Sequence, residues 1–295
     1  MHITVIIVAF YILSCCIVGA APWSFSQVNA RYFSREKGIF SKLGIDQMIP
    51  ERWRLKQAPD SDEITPTSYP VFLKPEWGQN GSGIVRADDA DSLARLRQAH
   101  AADNRRFMIQ EAATGAKEFE IFGARTGNNG SLHEMVTVTE STNTTGDAFP
   151  VNSIFNDKTV YKDVTDQFNE EQLAILSGFI QEIGDLAIAR VSARADSIEA
   201  LLSGDFKVIE VNMFIPMPIN VMDPKYSWPK RLQIIFKAMM HLAHATKNRR
   251  RERRPPAILT RKVLYARKRA AAEQRAVEQQ RRSGRQPIGT RRTQT

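Results

Sequence analysis

The stretch that decides the fold runs from Asp196 to Pro218 and reads DSIEALLSGDFKVIEVNMFIPMP. It predicts two short strands joined by a polar Ser-Gly-Asp turn at residues 203–205. Because side chains alternate along a strand, Glu210 and Asn212 share one face of the second strand. A hairpin would bring the carboxylate of Asp196, on the preceding strand, towards them.

Two carboxylates and an amide oxygen form an all-oxygen ligand set, which suits Mg²⁺ held jointly with substrate phosphates. A half-exposed polar face of a hairpin would contain the same residue types. Taken alone, the stretch therefore leaves a metal site and a solvated strand face open, and the upstream sequence has to separate them.

The upstream sequence contains a glycine-rich loop between two predicted strands. An apolar strand begins at Tyr69 and ends in Lys74-Pro75, the loop WGQNGSG covers residues 77–83, and a second strand begins at Ile84. Glycines let backbone N–H groups approach phosphate oxygens, and Lys74 supplies a positive charge. The loop is neither a Walker A sequence nor a dinucleotide fingerprint, so by itself it also fits an ordinary hairpin loop.

Three separated blocks then give the chain a resemblance. They are YPVFLKPEWGQNGSGIVRA at 69–87, IQEAATGAKEFEIF at 109–122 and ARADSIEALLSGDFKVIEVN at 193–212. In this order they resemble the ATP-grasp superfamily, and within it the carboxylate–amine ligases of the D-alanine–D-alanine ligase type. The resemblance covers residues 69–223, and 37–68 more loosely. It implies an α/β (α+β) fold in which two lobes with antiparallel sheets clasp a nucleotide.

The resemblance also implies roles for individual residues around ATP. The nucleotide phosphates would meet Lys74, an earlier lysine that is either Lys42 or Lys37, and the loop residues Gly78, Gly81, Ser82 and Gly83. Glu111 would lie beside the adenine and Glu118 would bind the ribose hydroxyls. On half-exposed strands, both glutamates would otherwise be read as solvated acids.

A second group of residues is implied for the metal and the chemistry. Asp196, Glu210 and Asn212 match the family's two-magnesium site, where Mn²⁺ is an alternative to Mg²⁺. Arg194, two residues before Asp196, matches an arginine that stabilises the transition state, although it could instead pair structurally with Asp196. Lys74 would share in this charge stabilisation.

The implied reaction is the ATP-dependent activation of a carboxylate as an acylphosphate, which an amine then attacks. A mobile loop from Ser141 to Asn152 would keep water out of the cleft. Two departures leave the substrates unassigned. The whole α/β domain that usually precedes these lobes is replaced by a short lead-in, and residues 213–218, MFIPMP, replace a glycine-containing segment of the dipeptide ligases.

The N-terminus and the C-terminus differ from the rest of the chain in composition. Residues 3–21 carry no charge, and as a helix they would span roughly 28 Å, about the thickness of a hydrocarbon core. Positive charge follows this run, so we expect a membrane anchor with the catalytic body in the cytoplasm; a signal peptide and a misassigned start are the alternatives. Cys15 and Cys16, the only cysteines, lie within it, which excludes a disulfide framework in the body.

The positive charge of the chain is concentrated at its C-terminal end. Of the 41 Lys and Arg residues, 17 lie in 247–295, together with 3 of the 32 Asp and Glu residues. Residues 1–246 therefore contain 24 basic and 29 acidic residues.

The predicted regions are the anchor (1–27), a lead-in and linker (28–68), a nucleotide-binding lobe (69–110), a metal-binding lobe (111–246) and a partly disordered basic tail (247–295).

The rival hypothesis is a non-catalytic nucleotide-binding module, anchored at one end, whose tail binds anionic lipid or nucleic acid. Tyr265 is the only aromatic residue of the tail, which argues against a base-stacking surface.

Overall fold

The chain forms two antiparallel β-sheets with helices packed around them. The computed structural model describes residues 3–76, 81, 83–100, 106–127, 131–249, 253–261, 263–264 and 267. The predicted α/β class with antiparallel sheets is confirmed within these ranges. Gly78, Ser82 and most of the basic tail lie outside the described residues.

The smaller sheet has the strand order β1-β4-β2-β3. Its strands are β1 (Gln57–Pro59), β2 (Val71–Pro75), β3 (Val85–Ala87) and β4 (Phe107–Glu111), and helix α3 (Ala90–His100) follows β3. The larger sheet has the order β7-β6-β5-β8-β9. Its strands are β5 (Lys117–Ala124), β6 (Met135–Asn143), β7 (Thr159–Asp163), β8 (Ile188–Ala195) and β9 (Lys207–Asn212).

The other helices are α1 (Ile3–Val18), α2 (Lys42–Asp46), α4 (Glu170–Ile183), α5 (Ile198–Ser203) and α6 (Trp228–Asn248). Helix α4 begins with a capping box. The Asn169 side chain accepts a hydrogen bond from the Gln172 backbone N–H, and the Gln172 side chain accepts one from the Asn169 backbone N–H.

Alternation along β5 explains where the large sheet leaves a cleft. Phe119 and Ile121 point to the face that packs against α4. The opposite face carries Glu118 and Glu120, and further along the strand Phe122, which belongs to the cluster formed with α1 and α6. The two helices therefore cover one end of that face, and the end with the two glutamates remains open.

The region between β8 and β9 differs from the predicted hairpin. Helix α5 occupies most of the segment that was expected to be strand and turn, because the Ser197 side chain caps its first turn and Gly204 ends it in the left-handed conformation. In the register of the two strands, Ser192 lies opposite Glu210 and Arg190 lies opposite Asn212. Asp196 lies beyond the end of β8, so the expectation that the hairpin brings it to Glu210 is wrong.

The apolar N-terminal run forms α1, which packs along α6. Phe10 meets Phe236 edge to face at a centroid distance of 5.5 Å, and the Tyr11 hydroxyl lies 3.0 Å from the Thr246 Oγ1. Lys247 Nζ donates to the carbonyl of Val18, the last residue of α1. Among the described residues, no helix is both long and apolar enough to cross a membrane. The predicted transmembrane helix is therefore not supported.

The lead-in contributes to both sheets. Strand β1 pairs with β4 in the small sheet, and Trp53 is fully buried in the core of the large one. Its ring stacks on Phe206 at 4.7 Å between centroids and meets the edge of Phe179 at 5.0 Å. The indole N–H donates to the Gly204 carbonyl at 2.9 Å, so this side chain fixes the turn before β9.

We predict that Trp53→Ala lowers the free energy of unfolding by about 3–5 kcal/mol, because a large buried ring and a buried hydrogen bond are lost together. Urea unfolding measures the change. The control is Trp23→Ala, since the Trp23 side chain is 76% exposed, and we expect less than about 1 kcal/mol there. Equal effects of the two substitutions would contradict the packing described for Trp53.

Candidate functional site

A cleft that is open to solvent lies between the two sheets. The small sheet contributes Phe72, Lys74, Gln110 and Glu111, and the large sheet contributes Glu118, Glu120, Arg190, Ser192, Arg194 and Glu210. Residues 149–154 of the loop between β6 and β7 cover one side. The cleft thus joins the early lysine strand to the late glutamate strand, as the sequence blocks predicted.

Two ammonium groups and one carboxylate lie close together beside the cleft, and two of these residues, Lys74 and Glu210, line it. Lys42 Nζ lies 3.2 Å from Glu210 Oε1, and the buried Lys74 donates from Nζ to Gln110 Oε1. Burial and the nearby charge of Lys42 lower the pKa of Lys74 to about 8, although Glu210 and Glu118 oppose the shift. Burial opposes ionisation of Glu210, but the charges of Lys42 and Lys74 outweigh it and hold the pKa of that carboxyl below its usual value.

The structure distinguishes the two early lysines that the sequence left open. Lys42 begins α2, whose N-cap Ser41 accepts a hydrogen bond from the Gly44 backbone N–H. The Lys42 side chain reaches Glu210, a residue that lines the cleft. Lys37 pairs instead with Glu76, at 2.5 Å between Nζ and Oε1. Of the two lysines, Lys42 is therefore the one that contacts a residue of the cleft.

The glycine loop meets the loop that covers the cleft. Gly81, the loop glycine that lines the cleft, has φ +71°, and a Cβ there would lie 3.1 Å from the Ser153 Cβ. Gly83 also has a positive φ, of +76°. Both positions favour glycine on conformational grounds, and Gly81 on close approach as well.

The two glutamates predicted at the nucleoside end both line the cleft. The Glu111 carboxylate accepts from the backbone N–H of Lys56 at 2.8 Å, which ties the end of β4 to the start of β1. Burial and the neighbouring charge of Glu120 raise the pKa of Glu118 to about 7, while Asn152, Arg194 and Lys74 favour its ionised form. Glu118 therefore changes its protonation state near neutral pH.

Arg194 contacts the loop between β6 and β7 as well as the cleft. Its Nη1 donates to the Ala148 carbonyl at 2.9 Å, and its guanidinium lies 5.6 Å from the centroid of the Phe149 ring. The side chain lines the cleft and also holds the covering loop. Arg86, on β3, reaches the same loop through both carboxylate oxygens of Asp147, each at 2.6 Å. Within the predicted mobile segment, residues up to Asn143 belong to β6.

Three cleft residues escaped the sequence analysis. The Arg190 Nε lies 2.9 Å from Glu120 Oε2, and the Ser192 hydroxyl donates to Glu120 Oε1 at 2.8 Å. The signal was present in RVSARAD, residues 190–196, because an arginine with a polar residue two positions later occurs twice. Strand register selects the first of these pairs, Arg190 and Ser192, as the one that lies opposite Asn212 and Glu210.

The predicted metal set is divided. Glu210 and Asn212 are adjacent, with Asn212 Nδ2 3.4 Å from Glu210 Oε2. Asp196 is exposed and accepts a hydrogen bond from the Ala116 backbone N–H at 3.0 Å. Within the described part of the chain, no three acid, histidine or cysteine side chains converge as a metal site.

Comparison with known proteins finds similarity at the level of structure. No protein-family model matches the chain, and no curated protein matches it in sequence. Among solved structures, it is similar to the VanG D-Ala:D-Ser ligase from Enterococcus faecalis, at 16% identity and a TM-score of 0.46, over 70% of this chain and 61% of that one.

Two further similar structures are an L-amino acid ligase from Bacillus licheniformis and a D-alanine–D-alanine ligase from Bacillus anthracis complexed with ATP. The first has 17% identity and a TM-score of 0.42, over 68% of this chain and 47% of that one. The second has 14% identity and a TM-score of 0.41, over 69% and 67%. The chain thus spans about half to two thirds of the length of these ligases.

Proposed function

We propose that the protein is an ATP-dependent ligase of the ATP-grasp type, which activates a carboxylate as an acylphosphate for attack by an amine. The observation that carries the proposal is that Lys74 and Glu210 line one cleft between the sheets and that Lys42 pairs with Glu210 there. Two lysines beside a carboxylate whose ionised form they favour are suited to a triphosphate and the cation that accompanies it.

A divalent cation fits the donor set of β9. Glu210 and Asn212 present carboxylate and amide oxygens on one strand, and these are the ligands that Mg²⁺ and Mn²⁺ prefer. When bound, the ion would neutralise charge on the phosphoryl group that is transferred.

The chain's own residues account for binding, orientation and exclusion of water. Lys42 and Lys74 bind the phosphates, and Glu111 and Glu118 border the nucleoside end. Arg190, which lies opposite Asn212, is the guanidinium best placed to meet the oxyanion of the reacting carboxylate. Arg194 holds the loop that shields the acylphosphate from hydrolysis.

We predict that Glu210→Gln and Asp196→Asn separate the two halves of the expected metal set. ADP release with Mg·ATP and a panel of carboxylates and amines should fall at least about 100-fold for Glu210→Gln, because a ligand of the charge-neutralising ion is lost. For Asp196→Asn we expect less than about a threefold change, since Asp196 is exposed and lies outside the cleft lining.

The opposite ranking of these two variants would contradict the register-based assignment. A wild-type protein that binds Mg·ATP and releases no ADP with any donor and acceptor pair would instead support the non-catalytic nucleotide-binding module.

We predict that nucleotide affinity falls as the pH rises through the pKa of Lys74. This pKa is about 8, so Lys74 is mostly protonated at pH 7 and mostly neutral at pH 9, and the affinity for ATP should drop about tenfold between them. Isothermal titration calorimetry at the two pH values measures the change. Lys74→Arg is the matched variant, because its guanidinium stays protonated across this range.

The other titrating groups of the cleft, including Glu118, are retained in Lys74→Arg. The difference between the two pH profiles therefore isolates Lys74. Identical profiles for the wild type and Lys74→Arg would show that Lys74 does not bind the phosphates.

A further inference from the structure

Three side chains form a row across the floor of the cleft. Glu120 on β5 lies directly opposite Ser192 on β8, and Ser192 lies directly opposite Glu210 on β9. All three line the cleft. Because directly opposed residues on neighbouring strands have Cβ atoms about 5 Å apart, the two glutamates lie on either side of the serine, about 10 Å apart at Cβ.

Serine is the short member of this row. In the pattern that the chain resembles, an aspartate accompanies the Glu-x-Asn strand; here the position opposite Glu210 carries a hydroxyl, and Asp196 lies beyond the strand end. The Ser192 hydroxyl donates to Glu120 Oε1 at 2.8 Å, which draws this carboxylate over β8, towards Glu210. A carboxylate from the next strand thus occupies the space that a longer side chain at 192 would fill.

A buried hydroxyl without a hydrogen-bond partner lies beside this row. Thr139 on β6 lies opposite Glu120 and therefore on the same face of the sheet. It is fully buried, and its Oγ1 has no hydrogen-bond partner. A buried hydroxyl without a partner costs about 1–3 kcal/mol, and such groups are concentrated where a water, ion or ligand completes the site.

We propose that Glu120, reaching across Ser192, supplies the second carboxylate of a divalent-cation site with Glu210 and Asn212. This inference rests on the proposed nucleotide-binding function. Each carboxylate is now held by a cation, Glu120 by Arg190 at 2.9 Å and Glu210 by Lys42 at 3.2 Å. The anionic groups of a bound nucleotide and substrate would compete for these cations, and the carboxylate oxygens released in this way would be free to hold the metal ion.

The test measures Mn²⁺ binding by electron paramagnetic resonance, with a non-hydrolysable ATP analogue at saturation. We expect Glu120→Gln to bind Mn²⁺ at least about tenfold more weakly than the wild type, because a charged ligand is lost. Adding Ser192→Asp to Glu120→Gln should restore the affinity to within about threefold, since it returns a carboxylate to the same row.

The matched control is Glu140→Gln. Glu140 lies on β6 opposite Phe119, on the face of the sheet that packs against α4, and pairs with Lys117. Its substitution should leave Mn²⁺ affinity unchanged. Wild-type affinity in Glu120→Gln, or a double variant that binds no better than the single one, would overturn the assignment of Glu120.

Thermal unfolding establishes that each variant is folded. If Glu120→Gln does not fold, Ser192→Asp in the wild-type background tests the inference instead. A third carboxylate in the row should tighten Mn²⁺ binding. An unchanged or weaker affinity would overturn the inference. Binding of the analogue without metal separates a failure of the proposed function from a failure of the inference on Glu120. A wild type that binds no analogue contradicts the proposed function, whereas one that binds analogue and Mn²⁺ regardless of Glu120 contradicts this inference alone.

Discussion

The structure depends on a buried group of charges that no single element could hold. Each charge comes from a different part of the fold: Glu210 from β9 of the large sheet, Lys74 from β2 of the small sheet, and Lys42 from the start of α2 in the lead-in. A buried charge without a partner is strongly unfavourable, whereas a mutually compensating group is tolerated. The three elements are therefore fixed relative to one another around the cleft, and the charges that stabilise this arrangement are also those that a nucleotide would use.

The rest of the fold delimits that cleft. Helices α1 and α6 cover the part of the large sheet where β5 turns apolar at Phe122, and α4 covers the opposite face. Arg86 and Arg194 bring the loop after β6 over the remaining opening, from the small and the large sheet respectively. The polar side chains thus face one partly covered cleft, in which charge interactions are stronger than in bulk water.

The sequence predicted the elements better than it predicted their register. Glycine spacing and alternation located the Lys74 strand, the Glu118 strand and the Glu210 strand, because each carries its own periodicity. Asp196 was misplaced because RVS and RAD show the same alternation, and the choice between them depends on α5 and on the bulge between Ser192 and Ala193. The positions of α5 and of the bulge are set by tertiary packing, and Trp53, which is distant in the sequence, contributes to that packing.

The other differences have the same origin. An uncharged apolar run predicts a helix, but only its contacts with Phe236 and Thr246 show that it packs against α6. Likewise, no local motif shows whether Lys42 or Lys37 reaches the cleft residues. The structure distinguishes them because Lys37 pairs with Glu76. Glu120 was overlooked because its relation to Glu210 depends on strand pairing. Glu120 lies opposite Ser192, and Ser192 lies opposite Glu210 on the next strand.

The central claim is that one nucleotide binds between the lysines of the small-sheet side and the oxygen ligands of β9. A crystal structure with Mg·ADP tests it most directly. The account predicts phosphate oxygens within hydrogen-bonding distance of Lys42 and Lys74, with a metal ion on Glu210. A nucleotide bound elsewhere, or one whose phosphates point away from these lysines, would contradict it.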